Sequence, residues 1–165
     1  LCSMSKLIAP AVRTGFMVAD KQIIYKASVL KAVSTNGVTT IIQKALAKMF
    51  DENDMYYEIR KICDIYSEKL SLMEETMDKY FPVEVVHSRP DGGMYIWVTM
   101  PKGTNIERFC RESAIKLNIP ITPGNGFCVK GYNECTSMRF NFVKESLSDI
   151  EKGIIMVGRL MEQSL

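Results

Sequence analysis

Residues 55–80 carry the strongest constraint on how this chain folds. Ile59, Ile62, Tyr66, Leu70, Met73 and Met77 recur there every three or four residues, which places them on one face of a long α-helix. The polar break Asp51-Glu52-Asn53-Asp54 precedes this stretch and Phe81-Pro82 follows it, so the helix separates two regions of different character. Its methionine and aromatic stripe reads as core rather than as a cofactor contact.

Upstream, residues 15–19 form a short apolar run that suits a buried strand, although the chain supplies no partner strands nearby. Residues 21–33 and 38–50 then repeat apolar side chains at helical spacing, interrupted at Ser34-Thr35-Asn36-Gly37. Downstream, strands and helices alternate. Residues 83–86 and 94–100 read as strands joined by the turn Ser88-Arg89-Pro90-Asp91-Gly92-Gly93. In the second strand Met94, Ile96 and Val98 share one face and Tyr95, Trp97 and Thr99 the other. Both faces are apolar enough to be expected under cover, with Trp97 packed. Thr104-Asn105-Ile106-Glu107 and Ser148-Asp149-Ile150-Glu151 read as capping boxes that open helices, the last with Ile150, Ile154, Val157 and Met161 on one face. Residues 118–126 form a turn-rich connector and residues 137–143 a strand. The order predicts an α/β sandwich in which helices cover a mostly antiparallel sheet.

Composition narrows the function classes. The 165 residues are 47% hydrophobic and 24% charged with net charge +2, and the charges are interspersed. That balance predicts no nucleic-acid footprint, and there is no apolar run of membrane-spanning length and no signal peptide. The five cysteines, Cys2, Cys63, Cys110, Cys128 and Cys135, are odd in number and show no C-x-x-C spacing, which favours reduced thiols in a cytoplasmic protein over a disulfide framework or a zinc site. His87, the single histidine, can assemble neither a triad nor a metal site and is expected to be structural or solvent-exposed.

Two cationic segments carry chemistry. In Ser3-Met4-Ser5-Lys6-Leu7-Ile8-Ala9-Pro10-Ala11-Val12-Arg13-Thr14-Gly15-Phe16, a lysine and an arginine lie seven residues apart across Pro10. A lysine kept neutral, for instance by burial beside the fixed charge of Arg13, forms a Schiff base with an aldehyde. Arg13 with the Ser3 and Ser5 hydroxyls suits a phosphate dianion, and pyridoxal phosphate is an aldehyde that carries a phosphate. Ser3-Met4-Ser5-Lys6 also fits the S-x-x-K pattern of serine acyl-enzymes, but neither K-T-G nor S-D-N follows. Gly124-Asn125-Gly126 is read as a turn and not a dinucleotide loop, since the third glycine is misplaced at Gly131 and Pro123 precedes the first. The second cation is Arg139. The period of two puts Met138, Phe140 and Phe142 on one face of its strand and Arg139 with Asn141 on the other. An arginine among large apolar residues implies an anionic partner, by the residues alone an Asp or Glu.

The first segment resembles the cofactor-lysine segment of fold type I pyridoxal-phosphate-dependent aminotransferases, in the branch that handles aromatic amino acids and 2-aminoadipate. Pro90-Asp91-Gly92-Gly93-Met94-Tyr95-Ile96-Trp97-Val98 and Ser137-Met138-Arg139-Phe140-Asn141-Phe142 resemble two further segments of that family, in the same order. The resemblance implies that residues 1–52 are the end of the large cofactor-binding domain and residues 53–165 the small C-terminal domain, opened by a long linking helix. It implies that Lys6 binds pyridoxal 5'-phosphate as a Schiff base and serves as base and acid. It further implies that Ser3, Ser5 and Arg13 hold the cofactor phosphate, while Arg139 grips the substrate α-carboxylate. The remaining cofactor contacts of the family lie upstream of the matching segments, so a fragment is expected, opening on Leu1 and inactive as a transaminase by itself. For the intact protein the resemblance implies a homodimer acting on an amino acid and a 2-oxo acid. The alternative is the cofactor-sensing domain of a transcription regulator, with nucleic acid as partner only if a winged-helix domain lies upstream.

Overall fold

In the computed structural model, which describes residues 1–128 and 135–165, the chain divides between Lys61 and Ile62 into two units. The first opens with a two-residue strand β1 (Cys2–Ser3), a single helical turn α1 (Met4–Leu7), a 3-10 turn (Pro10–Val12) and a return strand β2 (Gly15–Phe16). β1 and β2 pair antiparallel, Cys2 opposite Phe16 and Ser3 opposite Gly15. A side chain on Gly15 would bring its Cβ to 2.5 Å from the Cys2 carbonyl oxygen, so this closure requires glycine. Helices α2 (Lys21–Thr35) and α3 (Thr40–Glu52) follow near the predicted positions, each running two residues past its expected end, and Asn36 in the left-handed region ends α2. The expectation of a buried strand over residues 15–19 is corrected. Only Gly15 and Phe16 pair, both are exposed, and Val18 is 83% exposed, because a two-stranded ribbon has no second layer to bury it.

α4 (Met55–Tyr80), within which the division falls, has the limits the apolar stripe predicts, and Asp54 caps it by accepting from the Tyr57 amide at 3.1 Å. The second unit is built on a four-stranded antiparallel sheet of β3 (Val86–His87), β4 (Tyr95–Thr99), β5 (Thr122–Pro123) and β6 (Ser137–Asn141), in the order β3-β4-β6-β5. Along the central pair, Ile96 faces Phe140, Trp97 faces Arg139 and Val98 faces Met138. Helix α5 (Ile106–Glu112) continues into a π-helical turn (Ser113–Leu117), and α6 (Leu147–Glu162) closes the chain. Ile96, Val98, Met138 and Phe140 form one core with Met73 and Met77 of α4, Phe109 of α5 and Ile154, Val157 and Met161 of α6. At about 25 cal/mol per Å² of apolar surface this burial is the main stabilising contribution.

Several local expectations are corrected. Among the described residues the helices cover only the face on which Ile96 and Val98 are fully buried; on the other face Trp97 is 36% exposed but packs against Phe127, as expected of it. The first strand lies at Val86–His87, not residues 83–86, because Val85 N–H closes a turn onto the Pro82 carbonyl oxygen at 3.0 Å. The helix caps fall at Asn105, whose side chain accepts from the Arg108 amide, and at Ser146, whose Oγ accepts from the Asp149 amide. Thr104 instead donates its hydroxyl to the Pro101 carbonyl at 2.8 Å. Gly124–Phe127 is a 3-10 turn, as read, while Gly131 lies outside the described residues. His87 is structural. Its Nε2 lies 2.8 Å from Asp78 Oδ1, and Arg89, ahead of His87, holds the Asp78 carboxyl below its usual range through the shared hydrogen bonds. No helix among the described residues is long and apolar enough to cross a membrane.

Two glycines of α6 give opposite expectations for the same substitution. A Cβ on Gly158 would sit 2.4 Å from the Tyr80 carbonyl oxygen, whereas one on Gly153 meets only Ile119 Cδ1 at 3.7 Å. Gly158→Ala is expected to lower unfolding stability by about 1–3 kcal/mol through overpacking, and Gly153→Ala to raise it by about 0.5–1 kcal/mol through helix propensity; urea titration of the intact protein reads both. Burial pushes the Cys110 thiol up from 9.0 to about 12. The unfolded chain ionises this thiol first, so its contribution to stability is full below pH 9 and falls as pH rises towards 12. At neutral pH, iodoacetamide is expected to label Cys110 only as the protein unfolds.

Candidate functional site

The first unit returns the chain on itself so that its cation and hydroxyls meet. The Met4 amide donates to the Thr14 carbonyl at 2.9 Å, and Ser3 Oγ caps α1 by accepting from the Ser5 amide at 3.3 Å. Pro10 opens the 3-10 turn, and Arg13 ends it in the left-handed region at φ 46°. The other non-glycine residues at positive φ among those described, Asn36 and Asn118, are of a type that tolerates this conformation. Arg13 is not, and holding it there costs on the order of 1–2 kcal/mol. The return brings Arg13 Nη1 to 3.5 Å from Ser5 Oγ, onto which it donates. Lys6 stands on α1, one residue beyond Ser5, and is exposed. The burial beside Arg13 that would keep a lysine neutral is not supplied by the residues of this unit. Thr14 is committed internally, its hydroxyl donating to the Val12 carbonyl at 2.8 Å.

This donor set fits pyridoxal phosphate: a permanent cation and two hydroxyls for a phosphate, and a primary amine on the adjoining turn for an aldehyde. Arg13 makes no ion pair with a carboxylate among the described residues, which leaves its charge available to a ligand.

In the second unit, Arg139 projects from the sheet face that the helices leave open. Its guanidinium carbon lies 4.1 Å from the Tyr95 ring centre and 4.7 Å from that of Phe127. Phe127 in turn meets Trp97 edge-on, with ring centres 5.5 Å apart. Both rings contact the guanidinium, and among the described residues its Nε is buried without a hydrogen-bond partner. An ion pair to Asp or Glu, the expectation from the residues alone, is not formed among the described residues. Arg139, Tyr95, Thr122 and Asn141 border a cavity of about 660 Å³ that continues past Asn118 and Lys144.

Tyr95 and Phe127 were not singled out by the sequence. Tyr95 was legible as a neighbour of Trp97 on one strand face, but its approach to Arg139 depends on the β4–β6 register. Phe127 lies twelve residues before Arg139, and no local pattern reports that contact.

No family model matches the sequence. The chain is 28% identical, over 98% of its length and 40% of the relative, to a 2-aminoadipate transaminase of Thermus thermophilus. It is 29% identical over its whole length, and 35% of the relative, to an uncharacterized helix-turn-helix-type transcriptional regulator of Escherichia coli. Among solved structures, a kynurenine aminotransferase of Pyrococcus horikoshii, determined with pyridoxamine phosphate and kynurenine, matches with a TM-score of 0.91 at 29% identity, over 99% of this chain and 40% of that one. The chain spans about two fifths of the length of these curated relatives. In fold and in sequence the chain is thus similar to the C-terminal part of aminotransferases that act on aromatic amino acids, 2-aminoadipate or kynurenine.

Proposed function

We propose that the protein containing this chain is an aminotransferase that moves an amino group between an L-amino acid and a 2-oxo acid, with pyridoxal 5'-phosphate anchored at Lys6. The observation that carries this reading is the return of Arg13, at positive φ, onto Ser5 beside Lys6. Backbone strain of that kind persists where a functional geometry requires it. Residues 1–52 then belong to the cofactor-binding domain and residues 53–165 to the small domain of a cytoplasmic homodimer engaged in amino-acid metabolism.

Bound there, pyridoxal phosphate supplies an aldehyde and a ring that takes up the electron pair released at the substrate Cα. Ser3, Ser5 and Arg13 hold the phosphate by charge-assisted hydrogen bonds and fix its position against Lys6. Lys6 Nζ would hold the cofactor through its aldehyde and, as a free amine, would carry the proton at the substrate Cα. Arg139 would bind the α-carboxylate through both terminal nitrogens, with Tyr95 and Phe127 fixing the position of its intrinsically planar guanidinium.

A second reading has one observation in its favour, the likeness to the transcriptional regulator over the whole chain. In that reading the same Lys6 site senses the cofactor without turnover.

Borohydride reduction of the intact protein with pyridoxal phosphate is expected to leave a stoichiometric adduct confined to Lys6 and absent in Lys6→Ala; an unmodified Lys6 overturns the proposal. Amino-acid-dependent formation of a 2-oxo acid separates the enzyme from the sensor. Arg139→Ala is expected to lower kcat/KM by roughly 10²–10³-fold, as expected for an anion left without its charged partner. Phe127→Ala is expected to raise the amino-acid KM by about 2–30-fold at little cost in kcat, corresponding to loss of a cation–π contact. Equal effects of Phe127→Ala on kcat and kcat/KM would count against its positioning role.

A further inference from the structure

We infer that Cys128 and Cys135 form a redox modification site, a dithiol that closes to an internal disulfide by exchange with a small disulfide such as oxidised glutathione. Both sulfurs converge on one residue. Cys128 Sγ lies 3.7 Å from the Gly124 carbonyl oxygen, and Cys135 Sγ lies 3.0 Å from the place a Cβ on Gly124 would occupy. Gly124 is itself pressed against the Ser137 carbonyl, where an added Cβ would approach to 2.5 Å, so the absence of a side chain there makes room for the second sulfur. The Cys135 thiol beside it pushes the Cys128 thiol above its ordinary range.

Access differs from that of the other cysteines. Cys128 is exposed, and Cys135 borders a cavity of about 390 Å³ lined also by Thr104, Asn105 and Thr136, room enough for a small thiol reagent. Cys110 is buried, while Cys2 and Cys63 are exposed but belong to other parts of the chain. The neighbouring Cys135 thiol holds the Cys128 thiol above its ordinary range, and Cys135 is the sulfur that borders the cavity, so Cys135 is the attacking one. Cys135 Sγ attacks one sulfur of oxidised glutathione, a protein–glutathione S–S bond forms, and one glutathione thiolate leaves. Cys128, deprotonated in turn, attacks the Cys135 sulfur and expels the second glutathione thiolate. Two protein thiols are oxidised, one glutathione disulfide is reduced to two thiols, and the two protons pass to the leaving thiolates. The bond would form next to Phe127, the residue that stacks on Arg139.

The test uses the intact native protein equilibrated with glutathione buffers of rising oxidised fraction, quenched with acid and mapped by peptide mass. The expected result is a peptide carrying Cys128 and Cys135 lighter by two hydrogens, reversed by dithiothreitol. Cys128→Ser and Cys135→Ser, each checked for native thermal unfolding, should instead accumulate a stable glutathione adduct on the remaining cysteine. Glutathione adducts that persist on Cys128 or Cys135 of the unaltered protein, with no internal bridge, would overturn the inference. So would two thiols that stay reduced while Cys63 is modified. Neither readout depends on transaminase activity, so the inference stands or falls apart from that proposal.

Discussion

The pairing of β4 with β6 is the constraint on which the second unit depends. Ile96, Val98, Met138 and Phe140 are buried on one face, and their partners along the same ladder, Trp97 and Arg139, lie on the other. Side chains alternate with a period of two, so a slip of one residue would exchange the sets. It would drive an unpaired arginine into a core of Met73, Met77, Ile154 and Val157, at a cost that the apolar contacts could not offset. The core therefore fixes where Arg139 points. The sheet face that the helices leave open is then a consequence of the same burial, and it is where Tyr95 and Phe127 contact the guanidinium.

The first unit reaches its arrangement by a different route. Its short strands and single helical turn bury little, and its geometry rests on backbone hydrogen bonds and on particular residues. Gly15 permits the close approach of β2 to β1, Pro10 opens the turn, and Arg13 accepts a conformation that its side chain disfavours. The outcome is local in sequence but specific, since Ser3, Ser5 and Arg13 are drawn together within one closed segment. The apolar residues along α2 have no cover in this unit, and no residue of that helix is buried.

The two cations suit two different anions. Arg13 is accompanied by hydroxyls, which complement the several oxygens of a phosphate. Arg139 lies against two aromatic rings and offers a planar fork of donors, which complements a planar carboxylate. The distinction follows from the neighbours of each arginine, since the guanidinium is the same in both.

The sequence by itself determined whatever depends on near neighbours. The limits of α4 followed from a periodic stripe and its flanking polar and proline breaks, the exposed face of β6 from strict alternation, and the turn at Gly124 from its composition. The Lys6–Arg13 segment was legible because its chemistry lies within a dozen residues. Tertiary structure decided what depends on pairing at a distance. Competing capping residues, Thr104 against Asn105 and Ser148 against Ser146, were resolved by where the chain enters each helix. That helices cover only one sheet face among the described residues depended on all three packing on the same side. The aromatic contacts of Arg139 and the approach of Cys128 to Cys135 depended on strand register and on the path of the turn after β5. Periodicity records the direction a side chain takes from its own backbone, whereas its partner is chosen by the burial energy of the whole unit.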